Sequence, residues 1–380
     1  MNLPDDEDNG LGVQDKSIYC NPHIQPLKSF EKVRFRSMIA IGNPIVDIIA
    51  EVSQKDIEEF KLKNAQTVFA EKNNVGFFKV LESNPKVKYI PGGSIQNTLR
   101  IASWCIKMDS KYANLFKITM LGATGKDNYR EKIIDAFTLS GVNYLLECIP
   151  EMQTSRCGVG IYQKERSLLP EIRASNKISE AFINEHFDEI MKYDALLIEG
   201  YFIQERFEIL KRLCRKYKLN KKIVILTLAD VFIVKNYHDR VIELANCSDL
   251  IVGNMAELEE LIGEKGLKDE EVFEKLSQKL VNKSRLFVIT NGKKGVILAK
   301  YDYKKGHMDF ILKSFPSRIK HEDICDLNGA GDAFLGGFLS QYMQGKSFES
   351  CCKAGNDVAG IIIKNVGCSF PKHIKVKFKD

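Results

Sequence analysis

No apolar run in the 380-residue chain is long enough to cross a bilayer; the longest, 38–52, is broken by Asn43, Pro44 and Asp47. The ten cysteines and six histidines contain no CxxC or HxxxH spacing, so the pattern marks no metal centre. No apolar segment leads the chain, and the expectation is a cytoplasmic protein with reduced thiols. Charge of one sign is not concentrated. The 56 Lys and Arg mix with 50 Asp and Glu to a net +6, which argues against a nucleic-acid partner and suits an anionic substrate. No GxGxxG follows the first apolar strand, which excludes the dinucleotide-binding arrangement. There is no internal repeat.

What is present is 44% apolar residues in short β-branched runs that alternate with amphipathic stretches. Residues 1–35 are polar and irregular, with Asp5-Asp6-Glu7-Asp8 near the start, and read as a mobile extension. From 36 to 380 the pattern is that of one α/β domain. Strands are expected at 38–41, 118–121, 195–199, 223–228, 250–252 and 286–290, and helices at 96–107, 128–140, 204–217, 256–262 and 270–282. Strand and helix in alternation imply a mostly parallel sheet in a three-layer sandwich, with ligands beyond the carboxyl ends of the strands. The stretches 51–70 and 147–175 break this rhythm and are expected to form strands of a small lid.

The most informative stretch is Asp326-Leu327-Asn328-Gly329-Ala330-Gly331-Asp332-Ala333-Phe334. Two glycines at i and i+2 let successive amides point into one concavity, and a helix follows from about Asp332 to Gln341. Its free N–H groups and positive dipole end form an anion site. An acid in that first turn could serve only the dipole, worth under ~1 kcal/mol.

This nine-residue turn resembles the signature of the PfkB carbohydrate kinases, also called the ribokinase family, and most closely its adenosine kinase branch. The resemblance runs from about Ile39 to Pro371. It implies that Asp332 is the general base and that the amides of Gly329, Ala330 and Gly331, beside Asn328, cradle the moving phosphoryl group. It implies a ribokinase-like fold, adenosine and ATP as substrates, Mg²⁺ as the cofactor, and a monomer.

Carried over residue by residue, Gly42-Asn43-Pro44-Ile45-Val46-Asp47 supplies Asn43, and Asp47 for the ribose 2′ and 3′ hydroxyls. Pro91-Gly92-Gly93-Ser94-Ile95-Gln96-Asn97 supplies Gly92 and Gly93 for close backbone approach, and Asn97 for a sugar hydroxyl. Ser94 there also reads as a helix cap. Arg166 resembles the lid arginine that moves onto the phosphates. Around the base, the resemblance implies Gln66, Val68, Cys157, Leu168 and one of Tyr201 or Phe202. For ATP it implies Asn254, Thr290, Gly292 and Asn356. Glu257 of Asn254-Met255-Ala256-Glu257 would hold water around the magnesium ion, although the same four residues also read as a capping box. Gly367-Cys368-Ser369-Phe370-Pro371 follows the end of the adenosine kinase branch.

Two departures weigh on the donor side. Asp230 in Ala229-Asp230-Val231 brings a negative charge where the branch carries Asn, Ser and Pro, and Asn356 stands where relatives often have His. Two other readings stay open: a family kinase for ribose, fructose or another nucleoside, and a binding protein with little catalysis.

Overall fold

The chain's structure, a computed structural model, is described for residues 18–20, 35–62, 66–109, 113–163, 165–280, 284–316 and 319–369. Most of the expected N-terminal extension, together with Phe370 and Pro371, lies outside the described residues.

The strands that read as continuous apolar runs form one large sheet because both of its faces are covered. From one edge it runs Ile18–Cys20, His307–Ser314, Val296–Asp302, Arg285–Thr290, Leu250–Asn254, Ile223–Thr227, Ala195–Ile198, Ser37–Ile41, Lys117–Thr124 and Asn143–Cys148. Pairing is parallel from Arg285–Thr290 to Asn143–Cys148 and antiparallel at the other edge. Alternate residues serve opposite faces. Met38, Ala40, Leu197 and Ile225 enter one core, while Ile39, Ile41, Leu196 and Leu226 enter the other. The result is the expected three-layer sandwich.

The expected helices form at Ser94–Asp109, Asn128–Ser140, Ile203–Leu219, Met255–Ile262 and Asp269–Lys279. Helix Asn128–Ser140 starts at an Asp127 cap and stops at Gly141, in the left-handed region at φ 73°.

A second, four-stranded sheet runs Lys88–Gly92, Ile45–Glu51, Arg156–Tyr162 and Glu165–Glu171. Its second hairpin comes from the 147–175 stretch. The 51–70 stretch differs from the strand expected there: it opens with helix Gln54–Glu59, where Ser53 and Asp56 form a reciprocal capping box. Its last residues pair with the small sheet instead, through Val68 N–H to Leu168 O at 2.8 Å and Ala70 N–H to Pro170 O at 3.0 Å.

Two features place the site. The strand Ser37–Ile41 lies between Ala195–Ile198 and Lys117–Thr124, so the strand order across the sheet reverses there and a crevice opens beyond the carboxyl ends. The helix Ala330–Met343 crosses helix Ser94–Asp109 closely over that crevice. Gly336 permits the approach, since a Cβ there would stand 2.9 Å from Thr98 O.

Candidate active site

Asp332 sits in the first turn of helix Ala330–Met343, one turn beyond the left-handed Gly329 at φ 77°. Its carboxylate is held from the facing helix. Ser94 Oγ donates to Oδ1 at 2.7 Å, Asn97 Nδ2 donates to Oδ2 at 3.1 Å, and Thr98 Oγ1 donates to the Asp332 carbonyl at 3.3 Å. Burial raises the Asp332 pKa and these two side-chain bonds oppose the rise. Ser94 is thus the first helical residue with its hydroxyl on the acid, rather than a cap.

The next acid is Asp47, on strand Ile45–Glu51, which pairs antiparallel with Lys88–Gly92. A Cβ at Gly92 would lie 2.0 Å from Asp47 Oδ1, so only glycine leaves room for this carboxylate. Burial pushes Asp47 up to about 7, against the pull of Arg166.

Arg166 stands on the small sheet and reaches back to the phosphate-binding turn, with Nη1 2.8 Å from Asp326 Oδ2. Asp326 is nearly inaccessible and also accepts the Asn328 and Gly367 amides, at 3.0 and 2.8 Å. One buried carboxylate therefore ties together the small-sheet arginine, the turn and the last described segment. Desolvation lowers the Arg166 pKa and Asp326 opposes that shift.

Sequence reasoning missed Glu199. Ile41 and Ile198 are partners in the sheet, which sets Asn43 and Glu199 side by side at the strand ends. Glu199, 1% exposed, accepts Asn43 N at 2.7 Å, Asn43 Nδ2 at 2.9 Å and Ile95 N at 3.3 Å. Burial pushes it up to about 7 while those donors draw it down. The available signal was an acid closing an all-apolar strand next to the reversal point.

Of these groups, Asn43, Asp47, Ser94, Asn97, Arg166, Glu199 and Asp332 line one cavity of about 810 Å³. It gathers Asn43, Asp47, Gly93, Asn97, Cys157, Arg166, Leu168, Tyr201, Asn328, Gly329 and Asp332 from the expected set. Leu168, Pro170, Ile172, Phe69, Phe232 and Tyr201 give the same cavity an apolar and aromatic wall. Phe69 and Phe232 face each other at 6.3 Å between ring centroids, although they are 52% and 45% exposed. Exposed aromatics meeting across a cavity mark a surface waiting for a flat apolar partner.

Several expected residues lie elsewhere. Phe202 is fully buried in the core under the sheet, because the tight turn Gly200–Phe202 directs Tyr201 outward and Phe202 inward. Gln66 and Val68 are displaced by one residue of register. Their backbones bond to Leu168, so the alternate residues Thr67 and Phe69 face the cavity. Gly92 lies beneath Asp47 rather than on the lining, and Ala330 and Gly331 form the helix start beside it.

The residues expected around ATP do not line this cavity. Asn254 and Glu257 form a reciprocal capping box, with Asn254 N and Nδ2 donating to Glu257 at 3.0 and 2.6 Å. Burial pushes Glu257 up to about 7. Thr290 Oγ1 donates to Gly253 O at 3.4 Å. Gly292 opens a short turn after the same strand. Asn356 is buried with Nδ2 on Ser314 Oγ at 3.1 Å. Asp230 caps helix Val231–Asn236 through Phe232 N and accepts from Tyr201 Oη at 3.3 Å.

The sequence matches the model of the pfkB family carbohydrate kinases over residues 58–375. The chain belongs to that family. Its chemistry is phosphoryl transfer to a hydroxyl group. Among curated relatives, Adenosine kinase 2 of Arabidopsis thaliana is 28% identical over 344 residues, covering 88% of this chain and 96% of that protein. The adenosine kinase of Dictyostelium discoideum is 29% identical over 342 residues, with the same coverage. The fold matches the Anopheles gambiae adenosine kinase in complex with P1,P4-di(adenosine-5) tetraphosphate, at TM-score 0.77 and 24% identity over 90% of this chain and all of that one. It also matches a Schistosoma mansoni adenosine kinase in complex with adenosine in an occluded loop conformation, at TM-score 0.76, 24% identity, and 89% and 98% coverage.

Proposed function

We propose that this family kinase transfers the γ-phosphoryl group of ATP to the 5′-hydroxyl of adenosine, giving ADP and AMP, and so serves purine salvage. The observation that carries the reading is the set of groups brought to one cavity: an oriented carboxylate, polar groups that suit a sugar, and apolar and aromatic side chains that suit a base. A hydroxymethyl group, a ribose and a purine match those three kinds of group. Relatives over most of the chain's length are adenosine kinases.

In this reading Asp332 Oδ2 accepts the 5′-hydroxyl proton as the phosphoryl group moves. Ser94 and Asn97 aim the carboxylate. The amides at Gly329, Ala330 and Gly331 stabilise charge developing on the phosphoryl oxygens. Asp47, with Gly93 and Asn97, accepts the ribose 2′ and 3′ hydroxyls. Leu168, Phe232 and Tyr201 enclose the base, and Cys157 borders it. The hairpin carrying Arg166 acts as a lid that exchanges the Asp326 ion pair for phosphate contact and excludes water.

Family kinases act with Mg²⁺ on ATP. Among the described residues no group of three His, Cys, Asp or Glu could hold a metal ion. A single buried carboxylate still fits magnesium, which keeps most of its water. Glu257 would hold that water shell through its remaining lone pairs, with Asn254 fixing its rotamer. A magnesium ion held there would supply charge neutralisation to the transferring phosphoryl group. Thr290, Gly292 and Asn356 border the same donor side, and one monomer suffices.

The test is steady-state phosphorylation with ATP and Mg²⁺, adenosine and ribose being offered in parallel. Turnover of adenosine with ribose inert is the expected outcome. Ribose turnover with adenosine inert would transfer the reading to a sugar kinase, and binding without turnover of either would support a binding protein.

A further inference from the structure

Asp230 stands where the sequence pointed to a negative charge on the donor side. In the structure it lines the cavity that holds Asp332, together with Ala229, Tyr201 and Phe232. Its Oδ1 accepts the Phe232 amide at 2.7 Å and so caps helix Val231–Asn236, while Oδ2 accepts Tyr201 Oη at 3.3 Å. Burial, then the charge of Asp230, raises the pKa of that phenol and keeps it a donor. The same charge reaches Glu257, where it adds to a rise caused first by burial. Asp230 therefore faces two ways, toward the aromatic wall by hydrogen bonds and toward the donor side by charge alone.

The two bonded aromatics stand on turns that touch. A Cβ at Gly200 would lie 2.6 Å from the carbonyl oxygens of Thr227 and Leu228, so only glycine lets the Tyr201 turn rest on the end of strand Ile223–Thr227. Across that contact the Gly200 amide donates to Thr227 Oγ1 at 3.3 Å. On the other turn Ala229 adopts φ 71°, a left-handed conformation uncommon for a residue with a Cβ, and the Asp230 amide returns to Leu228 O at 3.0 Å. Such a conformation persists where its surroundings over-determine it. The Asp230 carboxylate joins the two turns. One oxygen holds the Tyr201 hydroxyl, and the other holds the helix start that presents Phe232 to Phe69 at 6.3 Å between ring centroids.

We propose that Asp230 is a positioning residue of the acceptor cavity, holding Tyr201 and Phe232 as a fixed wall for the flat part of the acceptor. The inference rests on the nucleoside reading above. Geometry rather than charge is the means. An asparagine keeps an oxygen for the helix cap and a hydrogen-bonding group for the phenol, whereas an alanine releases both rings. Rings that must be ordered on binding cost affinity that rings already held do not. Asp332 is aimed by Ser94 and Asn97, which take no part in these bonds. The effect therefore falls on acceptor affinity and leaves the rate of the bound complex nearly untouched.

The experiment is steady-state kinetics with adenosine and ATP on the full chain, comparing wild type, Asp230→Ala, Asp230→Asn, Tyr201→Phe and the double variant of Asp230→Ala with Tyr201→Phe. Asp230→Ala should raise KM for adenosine by about 10-fold, with kcat within about 3-fold and KM for ATP within about 2-fold of wild type. Asp230→Asn should bring KM for adenosine back to within about 3-fold of wild type. Tyr201→Phe should raise it by about 3-fold alone, and by less than about 1.5-fold on top of Asp230→Ala, because the shared bond is already gone. A KM for ATP that moves in both Asp230 variants, with KM for adenosine still, would overturn the proposal and assign the residue to the donor side through its charge. A lower melting temperature in Asp230→Ala with unchanged KM for adenosine would overturn it too, leaving a helix cap and nothing more. If the alanine variant does not fold, Tyr201→Phe decides, and an unchanged KM for adenosine there is the contrary result. A wild type inert on adenosine would overturn the nucleoside reading and this inference with it, whereas turnover with unaltered KM in every variant overturns this inference alone.

Discussion

The acceptor and donor sides of the reaction are built differently. On the acceptor side, polar groups from four separate segments converge: Asp332 on its helix, Ser94 and Asn97 on the facing helix, Asp47 on the small sheet, and Asn43 with Glu199 at neighbouring strand ends. Asp332 and Asn43 are each fixed by a partner distant in sequence. On the donor side, Asn254, Glu257, Thr290 and Asn356 bond locally or to the scaffold, and line no part of that cavity. In the proposed reading the acceptor side is therefore held in place by bonds within the protein, whereas the donor-side residues are taken up in local structure. Preorganised dipoles and carboxylates cost no reorganisation during the reaction, and the fold invests them around the group that loses a proton.

The sharpest way to break the comparison is Asp332→Asn. It keeps the Ser94 contact and removes the base, so kcat should fall by ~10²- to 10⁴-fold with the protein still folded. Unchanged turnover in a folded variant would remove Asp332 from the chemistry. Gly92→Ala comes next. Its Cβ would stand 2.0 Å from Asp47 Oδ1, forcing the carboxylate off the sugar, and kcat/KM for adenosine should fall by about 10- to 100-fold while KM for ATP holds. An alanine variant with wild-type adenosine kinetics would show that Asp47 does not hold the sugar.

The donor side should respond on the other axis. Glu257→Gln breaks the Asn254 Nδ2 contact and the carboxylate charge, raising KM for ATP by about 10-fold with KM for adenosine within about 2-fold. Parallel changes in both constants would erase the separation between the two sides.

The smallest effect concerns pH. Burial raises Glu199 from 4.5 in the ordinary case to about 7, with Asn43 and Ile95 donors opposing and Asp332 adding to the rise. A carboxylate raised on folding contributes stability at low pH that is lost as pH climbs through about 7. Asp47 and Glu257 act in the same direction. Between about pH 5 and pH 8, the wild-type melting temperature should therefore drop more than that of Glu199→Gln, by about 2–5 °C. Identical slopes would show that Glu199 is charged in the fold without penalty.

The sequence disclosed most where one physical cause dominates. Strands such as Ala195–Ile198 and Leu250–Asn254 were readable because burial on both faces demands unbroken apolar runs. The start of helix Ala330–Met343 was readable because its glycines serve a turn that little else requires. Legibility failed where the outcome hangs on a single residue of register. Gln66 and Val68 exchanged faces with Thr67 and Phe69, since strand-like pairing to Leu168 fixes parity and sequence spacing does not. Phe202 and Tyr201 present the same ambiguity, resolved only by a three-residue turn. Glu199 stayed hidden because its partners, Asn43 and Ile95, lie more than a hundred residues away.

The central claim is that the acceptor site is complete without ATP. Titration calorimetry of adenosine into the wild-type protein, with no nucleoside triphosphate or Mg²⁺ present, measures it directly. The account expects one saturable site per chain, of an affinity that changes by less than about 3-fold when a non-hydrolysable ATP analogue and Mg²⁺ are added. Adenosine binding that appears only after the analogue is bound would contradict it, and would place the organising step on the donor side.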